Sequence, residues 1–217
     1  MKITLIIATL LSITTSVVIA QDGSDETDNR EKLQFGLKAS MNYSNIYDSK
    51  GEEFTADAKF GFTGGMMLTI PFGKYIGIQP EALISQKGFR GKGTMLGNTY
   101  NFTRTTTYLD IPLFFVLKPS EFISIVAGPQ FSYLLNQRDV FSNTASSYEQ
   151  EQQFKQDNIR KNIFSAAGGF DINLKNIILG ARAACDLQTN AGDGSSSTPR
   201  YKNVWFQGSV AYKLYKN

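Results

Sequence analysis

LQFGLKASMNYS, residues Leu33–Ser44, decides the fold class of this chain. Phe35, Leu37, Ala39, Met41 and Tyr43 fall on one face of an extended segment, and Gln34, Gly36, Lys38, Ser40 and Asn42 on the other. An apolar residue at every second position is the period of a β-strand whose two faces meet unlike surroundings. Seven further segments repeat the pattern: Phe60–Phe72, Ile76–Lys87, Thr105–Leu117, Phe122–Leu135, Asn162–Leu174, Ile177–Leu187 and Val204–Tyr215. No helical period persists past residue 32.

The connections alternate as regularly as the side chains. Gly73–Tyr75, Lys118–Glu121 and Lys175–Asn176 are short. Asn45–Lys59, Gly88–Arg104, Asn136–Lys161 and Gln188–Asn203 are long and polar. Short and long connections therefore leave opposite ends of one antiparallel sheet. Eight strands of about a dozen residues, short loops at one end and long loops at the other, describe an up-and-down transmembrane β-barrel. The expected architecture is all-β, with short turns in the periplasm and long loops outside the cell.

Composition agrees. The 217 residues include 16 Phe, 10 Tyr, 19 Gly and a single Trp, a β-leaning mixture. Tyr43, Phe60, Phe62, Tyr133, Phe164 and Phe206 fall near the long-loop end of the apolar face, and Phe35, Phe72, Phe122 and Tyr212 near the short-turn end. Rings with one polar edge or a wet border are best placed between hydrocarbon and headgroups, so two such clusters are expected to form two girdles. A soluble lipocalin-like carrier is the competing eight-stranded design. The face opposite the apolar one carries Lys38, Gln79, Glu81, Asp110, Gln130, Asp171, Arg182, Gln207 and Lys213, which would not line a cup for a lipophile. Within the narrow lumen these charges must be paired or wet, and a network around Arg182 with Glu81 or Asp110 is expected to plug it.

Met1–Ala20 has the basic start, apolar stretch and small final residue of a cleaved signal peptide. Gln21–Lys32 has no apolar residue and is expected to be a disordered acidic leader, leaving residues 33–217 as the barrel domain.

The residue inventory also excludes chemistry. With no His, neither a Ser-His-Asp nor a Cys-His centre can be built, and His-ligated metal is impossible. The lone Cys185 excludes an internal disulfide and falls on the lipid face, where a thiol is inert packing. No catalytic, cofactor-binding or metal-binding residue is assigned, and a carboxylate pair among the lumen acids Glu81, Asp110 and Asp171 is the remaining acid/base candidate. A net charge of +3 is too small and too dispersed for a nucleic-acid partner.

Several runs resemble a known family. GIQPEALISQKGF (Gly77–Phe89), TYLDIPLFFVL (Thr107–Leu117), IVAGPQFSYLL (Ile125–Leu135), GGFDINL (Gly168–Leu174) and LGARAACDL (Leu179–Leu187) are similar, in order, to the PorT-like or "porin family" outer-membrane barrels abundant in Bacteroidota. The family's terminal aromatic is replaced here by Leu214, in Tyr212-Lys213-Leu214. The resemblance implies an eight-stranded barrel inserted from the periplasm by the barrel-assembly machinery, embedded in outer-membrane lipid. It leaves three roles: a structural barrel whose loops meet a surface partner, a narrow channel, or an accessory of a secretion system. Among the loops, Gly88–Arg104 carries Arg90, Lys92 and Arg104 without an acid, whereas Asn45–Lys59 carries Asp48, Glu52, Glu53 and Asp57.

Overall fold

The computed structural model describes residues 29–50, 55–95, 98–143, 146–152, 159–190 and 200–214. The expected signal segment and most of the leader lie outside these residues; of the leader, Asn29–Glu31 form one 3-10 turn.

Nine strands are present among the described residues: β1 (Gln34–Lys50), β2 (Thr55–Pro71), β3 (Ile76–Met95), β4 (Asn98–Leu117), β5 (Ile123–Asn143), β6 (Ser146–Gln152), β7 (Asn162–Leu174), β8 (Ile177–Asp186) and β9 (Arg200–Lys213). All pairings are antiparallel. β1 pairs with both β2 and β9, and the β4–β5 pairing completes the circle, so eight strands close into a barrel with no free edge. β6 stands outside that ring and pairs with the outward extension of β5 alone.

The alternation predicted from sequence sorts the side chains. Leu37, Met41, Tyr43, Phe62, Phe115, Ile125, Phe170 and Val210 are exposed on the outer wall. Lys38, Gln79, Glu81, Asp110, Gln130, Asp171, Arg182, Gln207 and Lys213 are all buried, inside. A soluble carrier would invert that arrangement. All six residues expected in the long-loop girdle are exposed, as are Phe72, Phe122 and Tyr212 at the other end; Phe35 is half-covered. Tyr43 and Phe60 stack with centroids 4.9 Å apart, and Phe131 and Phe164 at 5.5 Å. From Phe60 to Phe72 the twelve-residue interval in β2, at about 3.3 Å per residue and a tilt of about 40°, spans roughly 30 Å, matching an apolar band with its borders.

Two expectations need correction. The long polar connections are mostly strand. β3 and β4 hold one register from Ile76↔Leu117 to Met95↔Asn98 and pair at every residue from Leu83↔Asp110 outward, so Gly88–Arg104 is a hairpin rather than a loop. Asn45–Lys59 is likewise β1 running to Lys50 and β2 beginning at Thr55, and Asn136–Lys161 contains the end of β5 and all of β6. The strands therefore reach 20 or 21 residues in β3, β4 and β5, well past the membrane band. The sequence there is polar because the outer face meets water rather than lipid, and polarity hid the pairing.

The second correction concerns phase. Across β4 and β5 the register slips between Thr107↔Asn136 and Tyr108↔Leu134, leaving Leu135 as an extra, bulged residue. Below it, even-numbered residues of β5 (Ser132, Leu134) point inward; above it, Gln137 and Asp139 do. A similar slip separates Ala58↔Phe89 from Thr63↔Ser85 in β2–β3.

Candidate functional site: the lumen

Three tiers of charge and aromatic surface fill the barrel, each built from residues that are far apart in sequence. The tier nearest the short turns centres on Arg182 of β8. Its guanidinium donates to Glu81 of β3 at 2.8 Å and to Asp171 of β7 at 3.2 Å, and lies 4.5 Å from the centroid of the Phe114 ring. Lys38 of β1 reaches the other Glu81 oxygen at 3.1 Å, and Gln79 donates to Glu81 at 2.8 Å while accepting from Thr69 at 2.9 Å. Glu81 is thus held by two cations and an amide. Charges this deeply buried persist only when so paired.

The middle tier joins Lys87 of β3 to Asp110 of β4 at 3.0 Å. The Lys87 ammonium also sits 3.9 Å from the centroid of Trp205 and 4.8 Å from that of Tyr108. An ammonium over an indole face is attracted by the ring quadrupole, more strongly when both are desolvated. Beside it, Asn42 donates to Thr63 at 2.7 Å and accepts from Gln207 at 2.9 Å, while Asp186 accepts from Ser165 at 2.7 Å and from Asn203 at 2.6 Å.

The outer tier is a bidentate pair: Arg104 of β4 donates from Nε and Nη2 to the two oxygens of Asp139 of β5, at 2.8 and 2.7 Å. Arg104 also donates to the Tyr201 hydroxyl at 3.4 Å. Tyr201 packs edge-on against Phe89, which packs edge-on against Phe102, with centroids 5.1 and 5.5 Å apart. Phe89 and Tyr201 are almost wholly buried. This aromatic plug closes the lumen at its outer end.

The expected partnership of Arg182 with Glu81 is therefore present, and Asp171 joins it. Asp110 does not belong to that network; it pairs with Lys87 one tier further out. Glu81 and Asp110 engage different cations, so they do not form a carboxylate pair. Among the described residues no three acids or thiols converge on a metal-sized site. Arg104, Asp139 and Tyr201 were missed from sequence because all three sit where loops were expected.

A buried Trp205 gives the inside–outside assignment a direct check. It is the only tryptophan and is 3% exposed, facing the lumen. In bilayers of lipids brominated along their chains, its fluorescence should be quenched little, whereas a Phe62→Trp, Trp205→Phe variant should be quenched strongly. Equal quenching of the two would mean the faces are misassigned.

The sequence matches, over residues 19–185, the family described as Outer membrane protein beta-barrel domain. The chain belongs to that family. It is an integral outer-membrane β-barrel, and the girdles and closed sheet above are the physical form of that membership. Solved structures similar to this barrel include Ail, the attachment invasion locus protein of Yersinia pestis, crystallised with the heparin analogue sucrose octasulfate. Its identity to this chain is 11%, with 84% of this chain and 99% of that one covered and a TM-score of 0.46. Neisserial surface protein A is similar at 11% identity, 85% and 100% coverage and a TM-score of 0.47. The outer membrane protease OmpT from Escherichia coli is similar at 10% identity, 89% and 99% coverage and a TM-score of 0.36. No curated protein sequence matches the chain significantly.

Proposed function

We propose that this barrel is a non-enzymatic structural and surface-interaction protein whose lumen conducts no solute. The observation that carries the reading is the filled interior. Three tiers pair Lys38 and Arg182 with Glu81 and Asp171, Lys87 with Asp110, and Arg104 with Asp139, and the Phe89–Phe102–Tyr201 cluster caps them. An eight-stranded barrel has just enough interior for its own side chains. What remains available to a partner is the outer ends of the hairpins, carried beyond the membrane by β3, β4 and β5. A cell-surface protein, a matrix or a secretion assembly is the partner class this reading admits.

The finer placement follows the resemblance: a PorT-like barrel of the Bacteroidota kind, exported by cleavage after Ala20, bearing the acidic leader Gln21–Lys32, and inserted by the barrel-assembly machinery. The test is electrical. Purified protein reconstituted in planar bilayers should show no unitary conductance in molar salt. Discrete, voltage-stable steps would establish a channel and overturn the reading.

A further inference from the structure

Most charges on the described strands are neutralised where they stand. Beside the long-loop girdle, Arg90 and Lys59 have no acid bonded to them among the described residues. Arg90, on β3, is exposed and has Thr103 of β4 and Asp57 of β2 as its register neighbours. Lys59, on β2, is half-buried, and its ammonium donates to the carbonyl of Phe60 at 3.5 Å. Asp57, the acid opposite Arg90 in the β2–β3 register, is bonded instead to Lys92 at 3.3 Å. Both cations lie on the long-loop side of Phe60 and so outside the membrane band. There the Lys59 ammonium is pushed below the ordinary lysine range, by burial first and then by the nearby Arg90 guanidinium.

Holding two like charges together beside a hydrophobic ring is unfavourable for the barrel alone. Across an aromatic girdle, however, the layer next to the hydrocarbon is the lipid headgroup layer. Arg90 stands two residues beyond Gly88 in β3, or about 7 Å above the rung that meets Thr105. Lipids whose chains contact Phe60 and Phe62, which are 60% and 67% exposed, carry their phosphates just beyond that girdle, on the side where Arg90 stands. Thr103 stands between Arg90 and Val140 on the same rung and adds a hydroxyl. Arg138 lies one rung nearer the membrane, opposite Thr105, with Glu151 of β6 as its neighbour on the other side.

From this juxtaposition we infer that Lys59 and Arg90, with the Thr103 hydroxyl, form a docking surface on the outer wall for the phosphate groups of membrane lipids. The occupant is a phosphorylated lipid of the outer leaflet, its acyl chains lying against Phe60 and Phe62 and its phosphate bridging the two cations. The proposal goes beyond the structural role above, because a barrel with a closed lumen could sit in any lipid without preferring one.

The test uses the full chain reconstituted in phosphatidylcholine vesicles doped with spin-labelled lipid A, either bisphosphorylated or enzymatically dephosphorylated. Electron spin resonance reads the fraction of label immobilised on the barrel. The phosphorylated form should be preferred by about tenfold at low salt, the order expected for two basic residues at a charged bilayer surface. The preference should collapse in Lys59→Gln/Arg90→Gln. It should persist in Asp57→Asn/Lys92→Gln, which removes a pair already neutral. Inorganic phosphate should leave the immobilised fraction unchanged; displacement by it would mean a soluble-anion site and overturn the assignment to lipid. Equal retention of the two lipid forms by the unaltered protein would overturn it without any variant. So would a preference that survives in the folded double variant, or one insensitive to salt.

Discussion

Arg182→Met should lower the barrel's unfolding free energy by about 3–5 kcal/mol, the range for breaking a buried ion pair by deleting one partner. The size follows from what the guanidinium touches. It bridges two carboxylates, Glu81 at 2.8 Å and Asp171 at 3.2 Å, over the face of Phe114. With methionine there, Glu81 keeps Lys38 at 3.1 Å, but Asp171 loses the cation bonded to it and is left with Lys38 and Lys213 acting only at longer range. Oδ1 of Asp171 already lacks a hydrogen-bond partner among the described residues, so the carboxylate would also lose the guanidinium bond on Oδ2. Arg182→Lys should fall in between, because a point charge cannot span both acids as the planar fork does. Adding Asp171→Asn to Arg182→Met should recover a substantial part of the loss, a non-additivity that identifies the pair as coupled. Urea titration in detergent micelles, followed by Trp205 emission, measures all four proteins. A loss below about 1 kcal/mol for Arg182→Met, the size of an exposed ion pair, would show that the tier is open to water rather than sealed.

Gly88→Ala should be nearly as damaging, through the backbone. Gly88 has φ +153°, and a Cβ there would press into the carbonyl oxygen of Arg104 on the neighbouring strand. Neither the carbonyl nor the strand behind it can retreat, since the β3–β4 ladder runs unbroken on both sides. Ser44 also bonds Gly88 twice, accepting from its N–H at 2.9 Å and donating to its carbonyl at 2.8 Å. Phe89, the centre of the aromatic plug, is the next residue. A left-handed-region conformation closed to side chains, together with a backbone overlap, should cost about 3 kcal/mol or more. The comparison is Gly208→Ala on β9, where an added methyl meets nothing within 4 Å. The yield of folded barrel after refolding into micelles, read by heat-modifiable gel migration, should fall sharply for the first and stay level for the second. Similar yields would mean the β2–β3 irregularity relaxes freely around Gly88.

How legible all this was in the sequence varies along each strand. Where one face meets lipid, the outer face is apolar at every second position, most cleanly in Leu33–Ser44, and the faces, girdles and strand count follow. Past the girdle the outer face meets water instead of lipid, the contrast between the two faces weakens, and Thr99–Arg104 reads as a loop although it is strand throughout. Asp139 was doubly hidden. It lies in that wet zone, and the bulge at Leu135 puts it in the opposite phase from Ser132 and Leu134 below. The network partners were partly legible for another reason. Inward-pointing charges can be read from one strand, but which of them meet depends on register between strands, so Arg182 could be matched to Glu81 or Asp110 with equal warrant. The register brings Glu81 to it and gives Asp110 to Lys87.

The unbroken β3–β4 ladder also bears on how such a surface changes over generations. Every residue from Leu83 to Met95 is matched to a partner between Asn98 and Asp110, with inside and outside fixed at each rung. Gaining one residue partway up would turn the remainder of that arm inside out, sending Arg104 towards the medium and an outward threonine into the plug. Gaining two on the same arm restores the phase, whereas one on each arm would invert both. Natural variation in hairpin height should therefore come in even steps, with odd steps appearing only alongside a bulge such as the one at Leu135. Foreign peptides should graft best at the tip between Met95 and Asn98, where no rung remains to be inverted.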